Sequence, residues 1–181
     1  MRLLQHLTAL IIFIASSQAW SNPEEDRQLF LDTFAGNIPD VPISQYIYGS
    51  MMLSEDALNQ YESIMDFPPF QEMVDQGKKI WETPFKNGQK FANCFGNKGT
   101  NVAGKFPYYD TTQEQVVTFE MALNFCLEQN GETRMSYVDP KTMGVLSAYA
   151  RSLSDGMLMQ IEVPNAQALT KYELGKSLYF K

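Results

Sequence analysis

GKKIWETPFKNGQKFANCFGNKG, residues 77–99, begins as a c-type haem attachment site begins. A helical Gly-Lys-x-aliphatic-aromatic segment leads through a turn to a cysteine, Cys94. Such a site continues Cys-x-x-Cys-His. Here Phe95, Gly96, Asn97 and Lys98 follow instead. The stretch has the lead-in to a haem site but neither the second thiol nor the histidine.

No histidine elsewhere replaces it. The only one, His6, lies in a segment that reads as a signal peptide: Arg2, the apolar run Leu7–Ala15, and a cut after Ala19 in Ser17-Gln18-Ala19, or after Ser21. The apolar run is shorter than the ~20 residues that cross a bilayer, so export is expected rather than anchoring. A chain beginning at residue 20 has no histidine. That excludes Cys-x-x-Cys-His haem attachment, His–metal sites and Ser–His or Cys–His catalysis. No nucleotide loop, carboxylate cluster or nucleophile elbow stands in for them. The scattered methionines suit core gaps better than ligation, so neither a metal site nor a catalytic residue is expected.

The formal net charge of −7 argues against nucleic acid. The charge is uneven. Asn22–Asp75 holds eleven acidic residues and one basic, Arg27, whereas Lys78, Lys79, Lys86, Lys90, Lys98 and Lys105 follow with one acid, Glu82, among them. Such a basic face is a candidate docking site for an acidic protein. The alternatives are ordinary solvated lysine tips, or a face that holds the acidic extension in place.

Helix signals are frequent. Asn22-Pro23 and Ser54 cap two helices of an acidic N-terminal extension, residues 20–66. A third helix runs from near Pro69 to Trp81, with Met73, Ile80 and Trp81 on one face and Gly77 suited to close approach of another helix. Thr83–Asp110 reads as loop. Thr112 with Gln115 predicts a capping-box start to a helix ending at Gly131, with Val116, Phe119, Leu123 and Cys126 as a core stripe. Asp139-Pro140 starts another helix carrying Met143, Leu146, Tyr149 and Leu153. Met157–Val163 reads as extended linker or short strand, and Pro164-Asn165 begins a last helix. Its Gly175-Lys176-Ser177-Leu178-Tyr179 echoes Gly77-Lys78-Lys79-Ile80-Trp81. The expected fold is mostly α: a helical domain over residues 67–156, then a linker and terminal helix over 157–181.

Cys94 and Cys126 are the two cysteines. In an exported chain they are most simply one disulfide. Free buried thiols or a redox-active pair are the alternatives, although no Cys-x-x-Cys is present.

Several stretches in order carry a family resemblance: GKKIWETPF (77–85), NGQKFANCF (87–95), FPYYD (106–110), VVTFEMALNFC (116–126), NGE (130–132), LSAY (146–149) and YELGK (172–176). The chain resembles the SoxA family, the larger subunits of the SoxAX cytochromes of bacterial thiosulfate oxidation. The resemblance implies two cytochrome-c-like domains and L-cysteine S-thiosulfotransferase activity. Some members carry haem c in both domains. Others look as though a disulfide has replaced the first haem, and Cys94 and Cys126 match that pattern. The family's haem motif and thiosulfate-accepting cysteine would lie beyond Lys181, so no catalytic or cofactor-binding residue carries over. The expectation is a non-catalytic periplasmic protein meeting a SoxX-like cytochrome or a SoxYZ-like carrier. A fragment of an active haem transferase and a binding module with an unrelated partner are the alternatives.

Overall fold

The computed structural model describes residues 22–180, and the segment read as a signal peptide lies outside them. The structure is mostly helical, as expected.

The extension is a thin outer layer. α1 (Pro23–Asn37) starts where the Asn22 side chain accepts the Glu24 N–H, with Glu24, Glu25 and Asp26 at its positive end. A chain of 3-10 turns follows over Ile43–Leu53. α2 (Glu55–Met65) is capped by Ser54, whose hydroxyl accepts the Ala57 N–H. None of these segments contributes a fully buried residue. Ring contacts between Phe34 and Tyr46 and between Tyr48 and Tyr61 join them.

The core is built around α3 (Gln71–Glu82), α4 (Phe91–Cys94), α5 (Phe119–Gln129) and α6 (Val145–Ser152). α3 packs closely on α6, and Gly77 makes this possible. A Cβ there would lie 1.9 Å from the Val145 carbonyl oxygen and 2.8 Å from the Tyr149 Cβ. Trp81, one turn on, is buried among Phe91, Phe95 and Tyr149. Met73, expected on the same face, is exposed.

The Thr83–Asp110 stretch is more ordered than its Gly-Asn-Lys composition suggested. It contains α4 and two 3-10 turns, Gly96–Gly99 and Ala103–Lys105. The Ser154 hydroxyl accepts the Val102 and Ala103 N–H groups, each at 3.0 Å, and so ties the loop to the end of α6. Gly99 has φ +90°, with Trp81 where a Cβ would stand.

The helix expected from Thr112 begins later. Residues 108–117 form an antiparallel hairpin, β1 (Tyr108–Asp110) with β2 (Gln115–Val117), Tyr109 opposite Val116. The Asp110 carboxylate accepts the Thr112 and Gln113 N–H groups. That local turn competes with a capping box, and β-branched Val116 and Val117 favour a strand. The period-2 pattern then places Val117 in the core and leaves Val116 40% exposed, outside the expected stripe. α5 is capped instead by Thr118, whose hydroxyl accepts the Met121 N–H. Asn124, fully buried on α5, exchanges two hydrogen bonds with the Met135 backbone.

Pro140–Gly144 makes one wide turn before α6. Residues 157–163 are extended without strand pairing, and the Gln160 N–H donates to the Gly104 carbonyl. α7 (Ala166–Tyr179) is capped by Asn165. Among the described residues no helix is long and apolar enough to cross a membrane.

Candidate functional site

α4 and α5 bring the two cysteines together. Cys94 and Cys126 form a disulfide with Cα atoms 5.8 Å apart, within the ordinary range for such bonds. Cys126 is buried and Cys94 is partly exposed. The bond ties the attachment-like loop to the helix starting at Phe119, not at Thr112. The Asn130 amide donates to the Cys126 carbonyl at 2.8 Å and lies 3.5 Å from the Cys94 sulfur. Asn87 in turn donates to Asn130. On the same side, the Glu132 carboxylate accepts the Lys86 N–H and pairs with its ammonium at 3.4 Å. The Lys86 backbone hydrogen bond is the main reason that carboxyl sits below its ordinary range, helped by the Lys86 charge.

Behind the disulfide the centre is filled with rings. Trp81 stacks on Phe91 at 5.6 Å and on Phe95 at 5.7 Å, and Phe119 meets Phe95 and Phe106. Phe91 and Phe95 fill this space. Phe125, next to Cys126 in sequence, is only half-buried, with the Arg134 guanidinium 5.8 Å over its ring. Phe119 and Trp81 take the central place. On the outer side Cys94 borders an open cleft of about 600 Å³, with Phe95, Phe106, Tyr108, Lys105, Gln160 and Glu162 around it.

A second polar cluster joins α5 to α6. Glu120 accepts from the Ser147 hydroxyl at 2.6 Å and from Arg151 at 2.8 Å. Partial burial pushes the Glu120 carboxyl up. The Ser147 and Arg151 hydrogen bonds outweigh it, with help from the Arg151 charge, and hold it below the ordinary carboxylate range.

The six lysines are all exposed, but they do not form one cluster on one element. Lys78 and Lys79 lie on α3, and Lys78 is 4.0 Å from Glu82. Lys86 and Lys90 lie on the loop between α3 and α4, Lys98 in the turn after α4, and Lys105 at the cleft. Among the described residues none of the six forms an ion pair with the acidic extension.

The extension is held instead by α7. Lys176 pairs with the Asp26 carboxylate at 2.7 Å, the Tyr172 hydroxyl donates to it at 2.8 Å, and Phe180 stacks on Phe30. Burial, then the hydrogen bond to Asp26, then the charges of Asp26 and Glu173 push the Tyr172 hydroxyl up to about 12. The Gly-Lys echo had singled out Lys176, but pattern alone did not reveal a partner 150 residues away. The echo does not extend to packing. A Cβ on Gly175 would meet nothing within 4 Å, and Leu178 and Tyr179 are exposed where Trp81 is buried.

Residues 76–159 match the family described as SoxA/TsdA, cytochrome c domain. The L-cysteine S-thiosulfotransferase subunit SoxA of Chlorobaculum tepidum is 33% identical over 180 residues, covering 95% of this chain and 62% of that protein. The subunit of the same name from Allochromatium vinosum is 33% identical over 162 residues, covering 88% of this chain and 57% of that protein. The chain thus spans about three fifths of the length of these relatives. The crystal structure of SoxXA from P. pantotrophus shares the fold, with a TM-score of 0.54 and 21% identity over 63% of this chain and 44% of that one.

Proposed function

The chain is SoxA-like, with a SoxA/TsdA-type cytochrome c domain at residues 76–159, and on that basis we propose that it is an exported, haem-free, non-catalytic protein of periplasmic thiosulfate oxidation. It works by contact with other Sox proteins, a SoxX-like cytochrome or a SoxYZ-like carrier. The observation that carries the reading is the Cys94–Cys126 bond over a ring-filled centre. Haem does not fit the residues present. Both thiols are used in one bond, residues 22–180 contain no histidine, and Trp81, Phe91, Phe95 and Phe119 occupy the middle of the domain. The bond and the rings supply what a haem would: a filled centre and a tethered loop. We take residues 67–156 as this domain.

The exposed lysines are the proposed docking face. Exposed charges steer association in a salt-dependent way. The test measures binding of the exported chain to the SoxX-like and SoxYZ-like proteins of its own genome. Affinity for one of them is expected to fall at least tenfold between about 50 and 300 mM salt. Lys86→Glu, Lys90→Glu and Lys98→Glu together should produce a similar loss at low salt. Binding indifferent to both changes overturns the lysine face, and binding to neither protein overturns the functional reading.

Coverage of about three fifths of the relatives' length favours a second reading. There the domain serves as the docking part of a longer L-cysteine S-thiosulfotransferase. Thiosulfate transfer by protein purified from its native host supports this reading; inactive protein that still binds its partner supports the first.

A further inference from the structure

The junction between α2 and α3 presents apolar side chains to solvent on a stiff frame. Phe67 is 91% exposed and Met73 51%, and Ile64, Met65 and Phe70 are exposed beside them. The backbone beneath is held by successive turns. Asp66 N–H donates to the Glu62 carbonyl, Phe67 to Ile64, Gln71 to Pro68, and Met73 to Phe70. Pro68 and Pro69 fix the break further. Such a segment loses little freedom when another surface covers it.

Along the chain its charge is acidic up to Gly77, where Lys78 and Lys79 follow on α3. Residues 28–77 contain no Lys, Arg or His. Glu62, Asp66, Glu72 and Asp75 flank the apolar side chains, are exposed, and take part in no ion pair among the described residues. An anionic lipid surface is repelled by this face. A second copy of the chain is a poorer match: its basic stretch, Lys78–Lys105, exposes no large apolar side chain among the described residues, and on α7, where Leu174 and Leu178 are exposed near Lys171, Lys176 is already paired with Asp26.

We propose that the α2–α3 junction docks a basic partner protein whose contact face carries apolar side chains ringed by Lys or Arg. The apolar contacts supply affinity and the acidic rim supplies selection and steering. Its charge preference is opposite to that of the lysine face probed at Lys86, Lys90 and Lys98, which lie outside α3, so either can fail without the other.

The test uses the exported chain and three synthetic helical peptides. One carries a Leu stripe flanked by Lys, one has Gln in place of Leu, and one has Glu in place of Lys. Binding is followed by calorimetry at about 50 and 300 mM salt. The Leu/Lys peptide is expected to bind at least tenfold more tightly than either control and to weaken with salt. Phe67→Ser with Met73→Ser, and separately Asp66→Asn with Glu72→Gln, should each weaken it tenfold or more while leaving the circular dichroism spectrum unchanged. Equal binding of the Leu/Lys and Gln/Lys peptides overturns the proposal, as does full binding by both variants. A concentration-dependent dimer in sedimentation that Phe67→Ser with Met73→Ser abolishes also overturns it, because the face is then covered by a second copy.

Discussion

Gly77→Ala should destabilise the protein substantially, although alanine is the better helix former. The new Cβ would stand 1.9 Å from the Val145 carbonyl oxygen, 2.6 Å from its carbon and 2.8 Å from the Tyr149 Cβ. Ordinary contact begins near 3.4 Å, so α3 and α6 must part by about 1.5 Å. Two of the three obstructing atoms are backbone and cannot rotate aside. Overpacking of this kind costs ~1–3 kcal/mol and sometimes more. Parting the helices also loosens Trp81 from Tyr149, whose rings lie 6.1 Å apart. Alanine returns up to ~1 kcal/mol in helix propensity. The 1.9 Å approach puts the cost at the upper end of that range, so the net loss should be about 2 kcal/mol, which lowers the melting temperature by roughly 4–8 °C in a chain of this size. Gly175→Ala is the control. It lies in the echoed sequence, yet its Cβ meets nothing within 4 Å. It should stabilise by about 0.5–1 kcal/mol. Urea denaturation followed by circular dichroism reads both. A Gly77→Ala protein at least as stable as the parent refutes the close-packed crossing.

Replacing both cysteines by serine should cost about 3–4 kcal/mol, because the bond closes a loop with sequence separation 32; an unchanged denaturation midpoint contradicts the tether. Glu120 is held below its ordinary range in the fold, so its contribution is complete above the unfolded value of about 4.5 and is lost as pH falls through the folded value. Glu120→Gln removes charge-assisted hydrogen bonds with Ser147 and Arg151, so it should cost ~1–2 kcal/mol at pH 7 and flatten the acid limb of stability below about pH 4.5; parallel pH profiles count against that role. Tyr172 has the opposite sign. Its folded value of about 12 lies above the ordinary 10.0, so its contribution is present below pH 10 and is lost as pH rises through 12. Ultraviolet titration should show a latest tyrosine step that Tyr172→Phe removes and Asp26→Asn moves towards 10, beside a smaller upward shift of Tyr108; a latest step indifferent to Asp26→Asn separates it from the α1–α7 contact.

Much of this architecture is legible because helix ends are written locally. Asn22 with Pro23, Ser54 and Asn165 each place a short polar side chain at the start of a helical run, and each caps a helix. Gly77 is legible for a similar reason, since glycine inside a helix gives up stability unless another chain approaches closely. Thr112 with Gln115 misleads because the same residues suit a turn once Asp110 captures the backbone N–H groups ahead of them. The doublet Val116-Val117 was the available signal for a strand. Phe119 is legible from its helical spacing with Leu123 and Cys126, and Phe125 lies off that stripe. The Asp26–Tyr172–Lys176 cluster escapes sequence reading altogether. It joins the two ends of the described chain, and no periodicity encodes a partner at that distance.

The central claim is a disulfide-tied, ring-filled domain. Peptide mapping of the protein purified from its native host, without reductant, tests it most directly. The account predicts a cross-linked pair of peptides carrying Cys94 and Cys126, neither bearing a haem mass, that separates only on reduction. Free thiols at both positions, or a haem adduct on the Cys94 peptide, would contradict it.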